Sequence, residues 1–239
     1  MTIRLLARRS VRASRVRRTL VAVTACLVLL GRSPAADVAQ TGKGSEPPSN
    51  PTRTEQPNWQ PLFDGKTLAN WQSTKFMGEG AVKVDNGQLI LEAGRDLTGI
   101  NWVGPELPAT NYEIALQAMR VDGGDFFAGV TFPVADSFCS LILGGWGGSV
   151  VGLSNVNGMD ASENSTSQSI EFQSGRWYNV RIRVTPAKIE AWLDERKIID
   201  QDLQGNKVDT RLEVDLSRPL GVASWKTKSA LRDIRLRRL

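Results

Sequence analysis

From residue 59 to the C-terminus, apolar side chains recur at every second position over short runs, and glycine, asparagine and aspartate punctuate them. Val82 and Val84, then Leu89 and Leu91, flank Asp85-Asn86-Gly87. An Asn-Gly pair between alternating runs predicts a two-residue hairpin turn, because both central positions need positive φ. Tyr112, Ile114, Leu116 and Ala118 alternate with Glu113, Ala115 and Gln117, and Phe126, Ala128, Val130 and Phe132 alternate with Phe127, Gly129 and Thr131. Further on, Tyr178, Val180, Ile182 and Val184 oppose Arg181 and Arg183; Ile189, Ala191 and Leu193 oppose Glu190, Trp192 and Asp194; Ile234 and Leu236 oppose Arg235 and Arg237. A period of two with one apolar face predicts antiparallel strands resting on a core. No stretch of 12 or more residues carries a helical period, and no repeat of fixed length is present. About 12–14 short strands broken by turn residues predict an all-β sandwich or barrel.

The pattern is different before residue 59. Residues 1–36 join an arginine-rich start to the apolar run Thr19–Leu30, then to Ser33-Pro34-Ala35 with small residues at the cleavage positions. This three-part order predicts an export signal and a periplasmic or extracellular destination. The apolar run is too short for a membrane span, which needs about 20 residues, so no stable span is expected once the signal is cleaved. Arg17-Arg18 offers a twin-arginine alternative, and Val23-Thr24-Ala25-Cys26 a lipoprotein one, with anchoring at Cys26. Residues 37–58 are polar and rich in Pro, Ser, Thr and Gly, a composition expected of a disordered tether. Residues 59–239 are then one domain, long enough to bury a core without disulfides.

Charge narrows the partners. The formal charge of +5 includes eight arginines in residues 1–36, where there is no lysine and no acid; without them the remainder stands at −3. Such a domain has no general field for phosphate backbones, and nucleic acid is not an expected partner. Of the two cysteines, only Cys139 follows the leader, in the strand-like run Phe138–Leu143, so no internal disulfide is expected. The chain has no histidine, which leaves Asp, Glu, Lys or Tyr for any acid–base chemistry and makes a zinc site unexpected.

Pro61–Trp71 reads PLFDGKTLANW. Together with the VDNGQLILEAG hairpin, the NYEIALQAMR strand, the hairpin from Gly175 to Asp200 and the closing stretch from Arg218, it resembles the 3-keto-disaccharide hydrolase-like family over roughly residues 60–239. The resemblance implies a concanavalin-like jelly-roll β-sandwich of two antiparallel sheets, one curved to face a saccharide. It also implies cleavage of disaccharides or glycosides oxidised at C3: the ketone acidifies the C2 proton, a base removes it, and the enolate expels the glycosidic oxygen. The alternative is a non-catalytic glycan-binding or envelope-associated module on the same sandwich. The sequence departs from the family where a histidine commonly precedes the last strand, since that stretch is Ser224-Trp225-Lys226-Thr227.

Candidate residues follow from both readings. Gly144–Ser167 combines glycines with Trp146, Asn155, Asp160, Glu163 and Asn164; a tryptophan among glycines can stack on a sugar ring while amides and carboxylates bond its hydroxyls. Glu163 and Asp160 are the expected bases, Lys226 the expected cation for the enolate, and Trp225 lies beside it. If the central strand is oriented as in the family, Asp125 and Thr131 face the sugar. Glu213 and Asp215 have a two-residue spacing that would place them on one face of a strand, in a stretch expected to be a solvated strand face. No cofactor is expected; Asp160, Glu163 and neighbouring asparagine carbonyls offer a weak Ca²⁺ alternative without EF-hand spacing.

Overall fold

The computed structural model describes residues 58–239. The signal expected over residues 1–36, with its alternatives at Arg17-Arg18 and Cys26, lies outside the described residues, as does the expected tether apart from Asn58.

Fifteen strands are described: β1 Gln60–Pro61, β2 Trp71–Ser73, β3 Val82–Asp85, β4 Gln88–Leu91, β5 Leu97–Trp102, β6 Tyr112–Asp122, β7 Ala128–Val134, β8 Ser137–Gly145, β9 Val150–Ser154, β10 Gln168–Ser169, β11 Tyr178–Val184, β12 Lys188–Leu193, β13 Arg196–Asp202, β14 Gly221–Trp225 and β15 Lys228–Arg238. One 3-10 helix, Leu212–Ser217, precedes β14. The strands form two antiparallel sheets. One has the order β13-β12-β11-β6-β15-β4-β3, with β1 also pairing β15; the other has the order β10-β9-β8-β7-β14-β5-β2. The alternation predicts a sandwich or barrel and the family resemblance implies a jelly roll; the two antiparallel sheets form that jelly-roll sandwich. Among the described residues, no helix is long and apolar enough to cross a membrane.

The period-two faces become the core. Tyr112, Ile114, Leu116, Val180 and Ile182 of the eight-stranded sheet meet Val130, Phe132, Leu141, Leu143 and Leu153 of the other. The two buried tyrosine hydroxyls are satisfied: Tyr112 donates to the Pro133 carbonyl, and Tyr178 accepts the Gln173 amide at 2.7 Å. Asn86 (φ +49°) and Gly87 (φ +77°) close the β3–β4 hairpin with Asp85 opposite Gln88, as the Asn-Gly pair predicts. The PLFDGKTLANW segment is structural: Asp64 accepts the amides of Lys66 and Thr67, and Trp71 donates to Leu62 O at 2.8 Å while lying edge-on to Trp102.

One alternation does not hold. Phe127, Ala128, Val130 and Phe132 all join the core, whereas Phe126 points to the opposite face with Leu97 and Trp225. The chain bends through Gly124-Asp125 and again at Phe127, and β7 starts only at Ala128. The period of two therefore cannot be extended back to Phe126.

Candidate functional site

The outer face of the seven-stranded sheet is floored by small residues, among them Gly99, Gly129, Gly221 and Ala223. The segment between β13 and β14 lies across this face. It is tied to the β9 end by the Asn155 amide on Asp209 O and the Asn157 amide on Lys207 O. Its 3-10 helix presses Val214 against Leu97 and Ala223. A Cβ on Gly221 would come 2.5 Å from Ser217 O, so this close crossing requires glycine there. Beside it remains a hollow of about 240 Å³, lined by Asp125, Phe126, Trp146, Arg211, Glu213 and Trp225 over a floor that includes Ser140, Ile142 and Ser154. Drug-sized pockets measure roughly 300–1,000 Å³; this one suits a single small ring.

One wall is the β8–β9 turn. Trp146 sits at φ +47° and is 44% exposed. A left-handed conformation is unusual for so bulky a residue and needs support from its surroundings. That support is local: the Gly147 amide donates to Asp125 Oδ2 at 3.2 Å, and the Gly148 amide to Gly145 O. Asp125 Oδ1 accepts the Phe126 amide at 2.7 Å, and the Asp125 amide donates to Thr227 Oγ1. Beneath both loops, Arg120 Nη2 donates to the carbonyls of Asp125 (3.1 Å), Gly148 (2.9 Å) and, more distantly, Gly144 (3.4 Å). One buried guanidinium thus fixes the carboxylate loop relative to the tryptophan turn.

The facing wall is charged. Arg211 Nη1 donates to Asp160 Oδ2 at 2.6 Å, and Nη2 to Glu213 Oε1 at 2.8 Å. The Arg211 hydrogen bond holds the Glu213 carboxyl below the usual carboxylate range, and the Glu213 hydrogen bond in turn raises the Arg211 pKa. Both remain ionised at neutral pH, so the hollow presents a fixed guanidinium together with the Asp125 carboxylate and two tryptophan rings. A carboxylate can accept a proton there, the guanidinium can hold a developing oxyanion, and the rings can cover an apolar sugar face.

Of the residues singled out in the sequence, Asp125, Trp146 and Trp225 line the hollow. Thr131 shares its sheet face, with its hydroxyl bonded to that of Ser140 at 2.8 Å. Asp160 stands behind Arg211 and also accepts the Ser162 amide and hydroxyl. Asn164 is buried; its Nδ2 donates to the carbonyls of Leu153, Met159 and Asp160, and it ties the loop together without lining the hollow. Asn155 donates to Asp209 Oδ1 on the crossing segment. Glu163 is exposed and does not line the hollow. Lys226, at the β14–β15 turn, pairs with Asp96 at 3.3 Å and lies over the Trp225 ring, outside the hollow lining. Among the described residues, no three His, Cys, Asp or Glu side chains are grouped to hold a metal ion.

Arg211, Glu213 and Phe126 also line the hollow; Arg211 is not singled out in the sequence, Phe126 reads there only as part of a strand, and Glu213 only as one of a spaced carboxylate pair on a solvated strand face. Glu213 and Asp215 stand on a 3-10 helix, not on the strand face expected of them, so their two-residue spacing does not put them on one face. Asp215 instead bonds Thr210 and Arg218. The available signal was the acid-basic run Arg211-Leu212-Glu213 just before the closing strand. Cys139 is wholly buried in the core, where burial pushes its thiol up to about 12, so it is no nucleophile.

Residues 58–237 match the family described as the 3-keto-alpha-glucoside-1,2-lyase-like domain. Among solved structures, a protein from a study of endo-acting O-glycanases expressed by human gut microbiota to initiate mucin breakdown is 12% identical, with 75% of this chain and 100% of that one covered and a TM-score of 0.53. The Crh5 transglycosylase in complex with NAG is 10% identical, with 75% and 83% covered and a TM-score of 0.51. The carbohydrate-binding module CBM66 from Bacillus subtilis is 13% identical, with 70% and 95% covered and a TM-score of 0.42. At these identities the likeness is one of fold. No curated protein matches the chain.

Proposed function

The chain belongs to the 3-keto-alpha-glucoside-1,2-lyase-like domain family, and from that premise we propose that its hollow receives the oxidised ring of a 3-keto-glycoside and that Asp125 removes the C2 proton. The reading rests on one observation: a carboxylate, a guanidinium and two tryptophans line the same ring-sized hollow. The C3 ketone makes the C2 proton acidic. Asp125 takes that proton, and the C–H electron pair forms the C2–C3 double bond of an enolate whose charge rests on O3. Arg211 faces that oxygen; Glu213 and Asp160 hold the guanidinium in place and ionised. When the C3 carbonyl re-forms, the pair moves to C1–C2, the glycosidic bond breaks, and the leaving oxygen collects the proton held by Asp125. Water adding across C1–C2 turns the elimination into net hydrolysis. Trp146 and Trp225 cover the ring and exclude solvent.

The test is release of a chromogenic alcohol from a 3-keto-α-glucoside by the full chain. Asp125→Asn and Arg211→Gln lower the rate at least ~100-fold, the usual scale for one proton-transfer or oxyanion group, whereas Glu163→Gln, outside the hollow, keeps it. A rate that survives Asp125→Asn and collapses with Glu163→Gln overturns the assignment. The absence of histidine favours a second reading, glycan binding without turnover, in which the wild-type chain retains a glycoside and releases nothing. The leader composition supports export of the domain; N-terminal sequencing of mature protein from the cell exterior, starting after residue 36, tests that.

A further inference from the structure

The exposed face of the eight-stranded sheet, on the other side of the sandwich, has its own order. Register places Arg235, Ala115, Arg181 and Trp192 in one cross-strand row, Arg237, Glu113, Arg183 and Glu190 in the next, and Arg232, Gln117 and Asn179 in a third. Three tryptophans on this face lie under guanidinium groups: Trp192 under Arg181 at 3.7 Å, Trp177 under Arg232 at 4.0 Å, and Trp59 under Arg237 and Arg235 at 4.9 and 5.1 Å. A cleft of about 680 Å³ opens here, floored by Ala115 and walled by Trp59 and Trp177. Arg181 and Arg235 stand on the strands either side of Ala115, two strand spacings apart, roughly 10 Å. The Gln117 and Asn179 amides, bonded to each other at 2.7 Å, continue the floor.

Charge separates this face from the hollow. Arg176, Arg181, Arg183, Arg232, Arg235 and Arg237 meet Glu113, Glu190, Asp194, Glu195 and Asp233, a surplus of one positive charge, and Arg232 has no carboxylate within 4 Å among the described residues. The hollow, with Asp125, Asp160 and Glu213 against Arg211, carries a negative surplus. Guanidinium groups at fixed spacing grip carboxylates and sulfates through paired N–H donors; indole walls and amides suit the sugar that bears them. None of the large exposed apolar side chains, such as Met77, Leu212 or Leu216, stands on β6, β11, β12 or β15, and the three tryptophans of this face lie under guanidinium groups.

We propose that this cleft is a second glycan site, distinct from the hollow, that binds sugars carrying a carboxylate or sulfate. It holds the domain on an acidic polysaccharide while the hollow stays open. The proposal stands apart from the reading of the hollow, and its test separates the two. The full chain is footprinted with phenylglyoxal and mass spectrometry in the presence of tetragalacturonate, sulfated dextran oligomers, neutral maltotetraose or phosphatidylglycerol vesicles. Side-chain reading at individual arginines keeps the cleft distinct from the arginine-rich leader. The acidic sugars slow modification of Arg232 and Arg235 at least threefold at 50 mM salt, and the protection fades by 0.5 M. Maltotetraose and vesicles leave them unprotected, and Asp125→Asn keeps the protection. Ala115→Trp, which fills the floor, abolishes it at Arg232 and Arg235; Arg235→Gln, read at Arg232 and checked by thermal melt, does the same without altering the floor. Equal protection by neutral sugar, protection by vesicles alone, no protection by either acidic sugar, or full protection in both cleft variants overturns the proposal.

Discussion

Replacing Arg120 by methionine removes the buried group that ties together the two loops of the hollow, leaving the Gly147 amide on Asp125 Oδ2 as a direct link between them. The side chain is 6% exposed and has no carboxylate within 4 Å among the described residues. Its bonds to Gly148 O and Asp125 O, at 2.9 and 3.1 Å, are sound; the third, to Gly144 O at 3.4 Å, is weak. Hydrogen bonds from a charged donor contribute about 1.5–3 kcal/mol each. The guanidinium also lies 5.3 and 5.9 Å from the Phe127 and Phe172 rings, adding about 1 kcal/mol. The gross contribution is thus roughly 4–7 kcal/mol. Against it stands the cost of burying an unpaired cation, several kcal/mol, which also depresses the Arg120 pKa, with Asp125 opposing. Methionine avoids that cost, so the net loss is about 2–3 kcal/mol, or roughly 5–10 °C in Tm for a domain of this size. Circular dichroism melts at pH 7 measure it. A titration with glycoside, followed by tryptophan emission, reads the second consequence: with the Trp146 turn released, affinity falls about tenfold. Arg120→Lys, which keeps the charge but offers a single donor centre, falls between. A Tm within 1 °C of wild type together with an unchanged titration would refute this account of how the two loops are held.

Other parts of the fold make equally direct predictions. Glu113 is fully buried under Arg181, Arg183 and Arg237; burial pushes its carboxyl pKa up, but the bonds from Arg183 and Arg237 outweigh this and hold it below the ordinary 4.5. Because the folded value is the lower one, the stabilisation is full above pH 4.5 and is lost as pH falls through the folded value. Glu113→Gln should cost about 2–4 kcal/mol at pH 7, the arginines being partly exposed, and the Tm gap from wild type should close as melts are taken below pH 4.5. Asn164→Ala removes three side-chain bonds to the carbonyls of Leu153, Met159 and Asp160 and the acceptor for the Thr166 amide and hydroxyl and should cost about 2–3 kcal/mol by denaturant titration. In a Cys26→Ser background, Cys139 should resist Ellman's reagent at pH 8 in native protein and react stoichiometrically once unfolded, given a thiol pushed up to about 12.

Strands β6, β11, β12 and β15 were legible in the sequence because one face rests on the core and the period of two states which; β5 and β7 are buried on both faces and β1 is exposed, so the alternation marks β1 and β5 not at all. The Asn86-Gly87 turn was legible because few residues tolerate two successive positive φ values. The site was only half legible. Trp146 stands out among glycines, and Asp125 and Trp225 sit beside strands whose orientation the family suggests. Arg211 and Glu213 reach the hollow only because the 203–220 segment crosses the sheet, a long-range arrangement held by Asn155 and Asn157 backbone contacts that local pattern does not encode. Asn155, Asn164 and Thr131 look like sugar ligands by type, yet their polar groups bond loops and strands to one another. The parity change at Phe126 and Phe127 comes from a bend that composition does not mark. Glu113 reads as an outward polar residue, which it is; its complete burial comes from arginines on two other strands closing over it.

The central claim is that Asp125 draws a proton from C2 of a 3-keto ring lodged between Trp146 and Trp225. Proton NMR of a 3-keto-α-glucoside in D₂O with the full chain tests it most directly. Loss of the C2 proton signal above the buffer background, at least ~100-fold slower with Asp125→Asn, is the predicted result. Exchange that is as fast with Asp125→Asn as with wild type, or no exchange above background with either, would contradict it.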